Sequence, residues 1–301
     1  MSHLHEDKIK FLEEMANTIR QDIINMVVGA GSGHVGGPLG MADVFTALYF
    51  HVLKHDPKKP DWEDRDRVIL SNGHICPVLY AAMARSGYFP VDELKTLRKF
   101  GTRLQGHPHR TKLPGLESSS GPLGSGLSQA GGMAIAAKMD PSTSSGQVGS
   151  TSSPQARNKQ IYCFMSDGEQ DAGNIWEAVL LAGKLKLDNL TAVIDRNNIQ
   201  INGMTEDVMP LEPLKDKYEA FNWHVLEVNG HSMQEIVNAF ETAHAIYEKP
   251  VLILAHTIPG KGVDFMEFSY PWHSKPFKPE DVKESLNQLR TLGGRIKSEH
   301  E

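Results

Sequence analysis

The sequence predicts an α/β fold, a doubly wound and mainly parallel sheet with helices on both faces. The prediction rests on two strand–helix–strand units, because a helical crossover between neighbouring strands makes those strands parallel. Each predicted strand is a continuous apolar run, which is typical of strands covered on both faces. The units are strand 160–165, helix 174–186 and strand 190–194, then strand 224–228, helix 233–247 and strand 251–255.

Hydrophobic periodicity and turn residues predict the remaining elements. Apolar residues at helical spacing in the opening stretch predict an amphipathic helix that ends before the glycine cluster at 29–40. Residues 101–126 are rich in Gly, Pro, His and Ser, which predicts a loop. The other predictions are helix 41–53, strand 67–70, helix 77–86 ended by Gly87, a small-residue helix 131–139 and a polar helix after Pro279.

Composition excludes several classes of protein. The 301 residues include 31 Lys and Arg against 37 Asp and Glu, and the net charge of −6 argues against a nucleic-acid or anionic-membrane partner. No apolar run reaches the length of a membrane span, and the polar start does not resemble a signal peptide. Cys76 and Cys163 are isolated thiols, which suit a reducing compartment. We therefore expect a cytoplasmic protein.

One segment departs from the rest in composition. Residues 141–155 read PSTSSGQVGSTSSPQ, with a single aliphatic residue, which indicates a flexible, low-complexity stretch. The helix before it and the strand after it make more sense as parts of one unit. We therefore predict a single domain over 1–301, with 141–157 as a surface insertion between helix and strand.

Two polar loops follow consecutive parallel strands of the predicted sheet. Asp167-Gly168 comes after strand 160–165, and Asn197 comes after strand 190–194. Ligands bind beyond the carboxyl ends of such strands, so a carboxylate and an amide oxygen are expected to face one ion there. Together with a main-chain carbonyl and two diphosphate oxygens, they would nearly fill the octahedral shell of Mg²⁺. Gly168 lets the backbone approach a phosphate closely.

At this point a family resemblance becomes clear. Asp167-Gly168 followed by Asn197 resembles the metal-binding motif of thiamine diphosphate enzymes, and the rest of the chain is similar to the N-terminal domain of transketolases. The resemblance runs in the family's order from residue 29 to about 276. Its segments are Gly33-His34, Gly37-Pro38-Leu39-Gly40-Met41-Ala42-Asp43, Leu70-Ser71-Asn72-Gly73-His74, Gly106-His107-Pro108, Gly121-Pro122-Leu123-Gly124-Ser125-Gly126 and Trp272-His273.

The resemblance implies roles for individual residues. Thiamine diphosphate and a divalent cation (Mg²⁺, or Ca²⁺ or Mn²⁺) are the implied cofactors, with Asp167, Asn197 and Ile199 as the metal-binding residues. His74 and His273 are expected to reach the diphosphate or the reactive end of the cofactor. His34 and His107 are expected to line the sugar channel, where His34 and His273 would exchange protons with the acceptor and His107 would contact the donor. Gly121, Pro122 and Leu123 are implied to pack on the aminopyrimidine, with Gly168 and Ile199 also at the cofactor.

The family's enzymes transfer a two-carbon ketol unit from a ketose phosphate to an aldose phosphate. A complete transketolase is more than twice this length, so the resemblance implies a split enzyme. A separate C-terminal chain would supply the pyrimidine-binding domain and most of the residues that bind the sugar phosphate. The two chains would form an α2β2 assembly of the pentose phosphate pathway. This sequence departs from the family at Val35, where proline is usual, and at Ala172, where glutamate is usual.

Three alternatives remain open at the level of sequence. Another thiamine diphosphate enzyme, such as deoxyxylulose-phosphate synthase, would share the fold, but the segments around His107 and Leu123 fit transketolase better. A non-catalytic scaffold is favoured by Ala172 and by the insertion, but the intact Asp167, Asn197 and loop histidines speak against it. A nucleotide-binding domain lacks its expected glycine motifs.

Overall fold

The computed structural model describes residues 4–139 and 159–291. A five-stranded sheet lies within these residues, in the order β1-β2-β3-β7-β6, and every neighbouring pair is parallel. The predicted doubly wound sheet is therefore confirmed. Its strands are β1 (Arg67–Leu70), β2 (Ile161–Ser166), β3 (Leu190–Arg196), β6 (His224–Asn229) and β7 (Val251–His256), while β4 (Ile199–Gln200) and β5 (Gly203–Met204) form a separate antiparallel hairpin.

Helices cover both faces of the sheet. The α-helices are α1 (Glu6–Ala30), α2 (Gly36–Gly40), α3 (Ala42–Ala47), α4 (Cys76–Ser86), α5 (Ser125–Met139), α6 (Gly173–Lys184), α7 (Thr205–Val208), α8 (Leu214–Ala220), α9 (Met233–Ala245) and α10 (Pro279–Thr291). One core lies under α1, α3, α4 and α9, and a second core lies under α5, α6 and α8. Successive side chains of a strand point to opposite faces, so Tyr162 and Phe164 enter the first core while Cys163 and Met165 enter the second.

Two predicted helices differ from the observed ones by more than two residues at one end. The helix predicted over 41–53 is α-helical only to Ala47 and continues as a π-helical turn over Leu48–Val52. The small-residue helix begins at Ser125 instead of 131, so the predicted loop 101–126 ends two residues early. Gly126 explains this start, because its missing side chain lets the first turn of α5 lie against Ser71, whose side chain a Cβ would overlap.

The hairpin β4–β5 and the helix α8 were not predicted. Strands of two residues are too short to show alternation, and α8 spans only seven residues. Asn198 takes a left-handed conformation with φ 62° just before the hairpin, a conformation that asparagine adopts more readily than most residues. This turn directs the chain after β3 back across the strand ends.

Part of the predicted organisation lies outside the described residues. The insertion at 141–157 falls in the gap between 139 and 159, and the single domain over 1–301 stays a prediction. Within the described residues, no helix combines the length and the apolar character that crossing a membrane requires.

Candidate functional site

A cavity of about 340 Å³ lies beyond the carboxyl ends of the parallel strands. It brings together every predicted site residue except Pro122, although these residues come from widely separated segments. Its lining comprises His34, Gly37, His74, His107, Gly121, Leu123, Ser166, Asp167, Gly168, Asp195, Asn197, Ile199, Gln200, Ile201, Asn202 and His273. The parallel register produces this convergence, because the ends of β1, β2 and β3 meet at one edge of the sheet.

Asp167 lines the cavity and is fully buried. Its Oδ2 accepts hydrogen bonds from Arg196 Nη1 at 3.2 Å, from the Asn198 N–H at 2.8 Å and from the Thr205 hydroxyl at 3.2 Å. Its Oδ1 accepts one from the N–H of Gly168 at 2.7 Å. Burial raises the pKa of Asp167, and the Arg196 guanidinium and the backbone donors act against that rise.

Asn197 and Ile199 lie beside Asp167 at the end of β3. The side-chain oxygen of Asn197 accepts the Ile199 N–H at 3.0 Å, and its amide nitrogen donates to Asp195 Oδ2 at 2.8 Å. This orients the amide oxygen of Asn197 toward the start of the hairpin. Burial raises the pKa of Asp195 to about 7, although the Thr257 hydroxyl donates to its carboxyl group and lowers the pKa.

Three histidines from distant loops form one cluster above the strand ends. The ring centroids of His34 and His74 are 4.8 Å apart, those of His34 and His273 are 5.0 Å apart, and those of His74 and His273 are 5.3 Å apart. Nδ1 of His34 is buried and has no hydrogen-bond partner among the residues that the structure describes. Burial lowers the pKa of His74 and of His273, as it does for His107, so neutral imidazole is favoured at all three.

We expect the His34→Asn variant to lose part of the pH dependence of folding. Burial first, and then positive charge on His273, Arg98 and His107, lower the pKa of His34 from 6.5 to about 4. The stability due to neutral His34 is therefore complete above pH 6.5 and is lost as the pH falls toward 4, because only the unfolded chain binds the proton in this window. Denaturant titrations across the window should give a shallower pH slope for the variant. Equal slopes would contradict the prediction that folding lowers the pKa of His34.

The glycine-rich loop before α5 forms one wall of the cavity. Gly121 and Leu123 line it, and Leu123 keeps 43% of its surface exposed. A Cβ added at Gly121 would meet nothing within 4 Å, so that side of the loop is open. Pro122 is not among the lining residues, and its carbonyl accepts the Ser125 hydroxyl at 2.8 Å as the helix begins.

The two departures from the family pattern occupy different surroundings. Val35 is fully buried, and its N–H donates to the His273 carbonyl at 3.3 Å. Proline could not make this hydrogen bond, so valine links the loop of His34 to the loop of His273. Ala172 is partly buried between the short 3₁₀ turn Gly168–Asp171 and α6, and its side chain places no carboxylate there.

Sequence reasoning missed three buried charged residues around the cavity. Arg196 is 4% exposed in its side chain and contacts Asp167, Glu206 at 2.5 Å and Glu212 at 3.0 Å. Asp195 lines the cavity, and Glu169 is 1% exposed behind it. The signal in the sequence was the density of charged residues at the carboxyl ends of two buried strands, where unpaired charges would be costly.

The donor set fits a hard cation only in combination with a ligand. Among the described residues, no group of three His, Cys, Asp or Glu side chains could hold a metal by itself. One carboxylate with neutral amide and carbonyl oxygens leaves the shell incomplete, which suits a Mg²⁺ ion that also takes phosphate oxygens. The cavity therefore fits a diphosphate with its cation better than it fits a free metal ion.

Comparisons with known proteins agree with this geometry. A model of the family described as "Transketolase, thiamine diphosphate binding domain" matches residues 12–293. The chain is 42% identical over 284 residues to 6-deoxy-6-sulfo-D-fructose transketolase subunit SqwG from Clostridium sp. (strain MSTE9), covering 94% of this chain and 97% of that one. It is 39% identical over 282 residues to one subunit of the apulose-4-phosphate transketolase from Phocaeicola vulgatus, covering 94% and 95%.

Solved structures similar to this chain are also transketolases. The transketolase from Leishmania mexicana superposes with a TM-score of 0.84 at 33% identity, over 95% of this chain and 42% of that chain. The transketolase from Campylobacter jejuni superposes with a TM-score of 0.84 at 36% identity, over 96% and 44%. This chain thus spans less than half the length of these solved proteins, but nearly the whole length of the relatives named as subunits.

Proposed function

Since the chain belongs to the transketolase family through its thiamine diphosphate-binding domain, we propose that it is the diphosphate-binding subunit of a two-chain transketolase. The observation that carries the proposal is the convergence of Asp167, Asn197 and Ile199 with the three clustered histidines on one cavity. In this proposal Asp167, the Asn197 amide oxygen and the Ile199 carbonyl hold a divalent cation, which in turn holds the diphosphate. The cation is Mg²⁺, or Ca²⁺ or Mn²⁺, because the donors are hard oxygens.

The protein's own side chains would bind and orient the cofactor and the sugar, and they would move protons. When bound, thiamine diphosphate supplies the carbon nucleophile and electron sink for cleaving and forming the ketose carbon–carbon bond. His74 and the wall at Gly121 and Leu123 would orient the cofactor, with Pro122 supporting that wall from behind. Nδ1 of His34 has no partner in the described part of the chain, and its lowered pKa keeps the imidazole neutral at neutral pH, so it can hydrogen-bond a sugar hydroxyl.

The remaining histidines take complementary parts. His273 lies 5.0 Å from His34 between ring centroids, and we assign this pair to proton exchange with the acceptor aldehyde. His107, on another loop lining the cavity, would contact the terminal hydroxyl of the donor. These roles need neutral imidazoles at neutral pH. Burial lowers the pKa of His34, His107 and His273 and so favours the neutral form of each.

A separate chain would complete the enzyme. Two relatives that match nearly the whole chain are named as subunits, and the solved transketolases are more than twice as long. We propose that a cytoplasmic C-terminal transketolase chain supplies the pyrimidine-binding domain, in an α2β2 assembly that acts on sugar phosphates. The complex, purified through this chain, should transfer a ketol unit between ketose and aldose phosphates, while each chain alone should be inactive. Turnover by this chain alone would contradict the proposal that both chains are needed for activity.

Chelation of the divalent cation is expected to abolish cofactor binding. The cavity is lined by the carboxylates of Asp167 and Asp195, and the described part of the chain has no group of three metal-ligating side chains. The diphosphate would therefore depend on the cation for charge neutralisation. Calorimetry on the complex should detect thiamine diphosphate binding with Mg²⁺ and none with EDTA, whereas thiamine without its diphosphate should bind weakly in both. Binding that persists with EDTA would refute the metal assignment.

A non-catalytic scaffold remains the second candidate because Ala172 stands where the family usually has glutamate. The same complex separates the two functions. With a scaffold, the complex would leave the cofactor unbound or give no ketol transfer. With the catalytic subunit, the complex would bind the cofactor and transfer the ketol unit.

A further inference from the structure

Glu169 connects two loops and the end of β2 behind the cavity. It lies in the short turn after β2, two residues beyond Asp167, and is 1% exposed. Its Oε1 accepts hydrogen bonds from the Ser71 hydroxyl and from the Gly124 N–H. Its Oε2 accepts one from the Ser166 N–H at 3.1 Å. The donors belong to the loop after β1, the glycine-rich loop before α5 and the end of β2.

This carboxylate has no ion-pair partner within residues 4–139 and 159–291. Burial raises the pKa of Glu169, and the hydrogen bonds from Ser71, Gly124 and Ser166 counteract that effect. Burying an unpaired carboxylate is unfavourable, so each donor contributes to keeping it in place. The arrangement therefore depends on the two loops and the end of β2 keeping their observed positions.

The glycine-rich loop is held closely at the same place. Ser71 Oγ accepts the Gly126 N–H at 2.9 Å, so Ser71 and Glu169 form a continuous chain of hydrogen bonds to the loop. Gly124 has a φ of +86°, and a Cβ there would overlap the side-chain amide of Asn174. The loop is thus fixed from behind, while Gly121 and Leu123 on its other side face the cavity.

We propose that Glu169 is a positioning residue that fixes the glycine-rich loop at 121–124 so that its wall can pack against the bound cofactor. This inference rests on the proposed function of the cavity. Glu169 does not line the cavity and acts through the backbone of Gly124 and the hydroxyl of Ser71. It differs in this respect from Asp167, which faces the cavity directly.

The Glu169→Gln variant tests this inference. Its amide nitrogen would face either the Gly124 N–H or the Ser166 N–H, so a donor would meet a donor. We expect the Kd of the Mg²⁺-loaded complex for thiamine diphosphate to rise about tenfold or more. Backbone amides of residues 120–126 should exchange hydrogen faster, with unchanged exchange in β7 and α9. The matched control is Glu177→Gln, the same change at an exposed position on α6.

The outcomes separate this inference from the proposed function. If the parent complex does not bind thiamine diphosphate, the proposed function fails and this inference fails with it. If the parent binds and Glu169→Gln matches it in affinity and in exchange at 120–126, only this inference is overturned. Faster exchange throughout the chain would also overturn it, since that indicates a general structural role. Should Glu169→Gln not fold, Ser71→Ala removes one donor but keeps the carboxylate, and the same local loosening is expected.

Discussion

Replacing Asp167 by asparagine is expected to weaken metal-dependent binding of thiamine diphosphate by more than about 100-fold, beyond the roughly 10–100-fold typical for losing an outer-shell contact. Asp167 is the carboxylate that the proposed cation site depends on, and it is fully buried where it lines the cavity. Its Oδ2 is occupied by donors from Arg196, Asn198 and Thr205. Oδ1 accepts only the Gly168 N–H among the described residues, so we expect its remaining lone pair to bind the cation.

Neither orientation of an asparagine amide at this position would suit both the protein donors and the cation. If its nitrogen faces Arg196 and the Asn198 N–H, donors meet donors, and if its nitrogen faces the cation, it repels the ion. Calorimetry with Mg²⁺ and thiamine diphosphate measures the loss. Asp216→Asn, at an exposed position on α8, is the matched control and should bind as the parent does. Near-parental affinity in the Asp167 variant would remove the basis of the proposed metal site.

Truncating Asp43 to alanine is expected to lower the free energy of unfolding by about 3–5 kcal/mol, the usual cost of leaving a buried charge unpaired. Arg20 Nη2 lies 2.5 Å from Asp43 Oδ2, and the two side chains are 2% and 9% exposed. His231 Nδ1 also lies 2.7 Å from Oδ2, while His231 Nε2 accepts the Ile258 N–H. Nδ1 must therefore carry the proton donated to Asp43 when the imidazole is neutral.

The Asp22–Arg85 pair provides a matched contrast. It is also bidentate, through Arg85 Nε and Nη2, whereas Arg20 uses Nη1 and Nη2. Arg85 Nε lies 2.7 Å from Asp22 Oδ2, but Arg85 keeps 30% of its side chain exposed. Asp22→Ala should therefore cost about 1 kcal/mol or less in the same denaturant titration, because water can solvate the remaining charge. Equal losses in the free energy of unfolding at Asp22 and Asp43 would contradict the claim that burial sets the cost of the unpaired charge.

The Asp43 network also predicts a response to acid. Burial alone would raise the pKa of Asp43, but the Arg20 guanidinium and the His231 N–H together hold it well below its usual range. A depressed carboxylate pKa contributes stability above the unfolded value of about 3.9, and that contribution is lost as the pH falls further. Asp43→Ala should accordingly show a shallower loss of stability than the parent below about pH 4.

Most of the fold could be predicted from the sequence because its signals are local. The apolar runs of β2, β3 and β7 mark strands covered on both faces, and their crossovers require parallel pairing. The predicted strand 67–70 has the observed bounds of β1. The failures occurred where the signal is short or not periodic, as in the hairpin β4–β5 and the π-helical turn Leu48–Val52.

The sequence by itself determined which loops meet, since residues after consecutive parallel strands must emerge at one edge of the sheet. It placed Asp167 and Asn197 there and identified the histidine loops through their motifs. Only the tertiary structure decided which oxygen of Asp167 is occupied by Arg196, and that the Val35 N–H reaches the loop of His273. Glu169 and Ser71 are 98 positions apart, so no local pattern records their hydrogen bond. Periodicity reports burial, whereas the partner of a buried polar group depends on how distant loops pack.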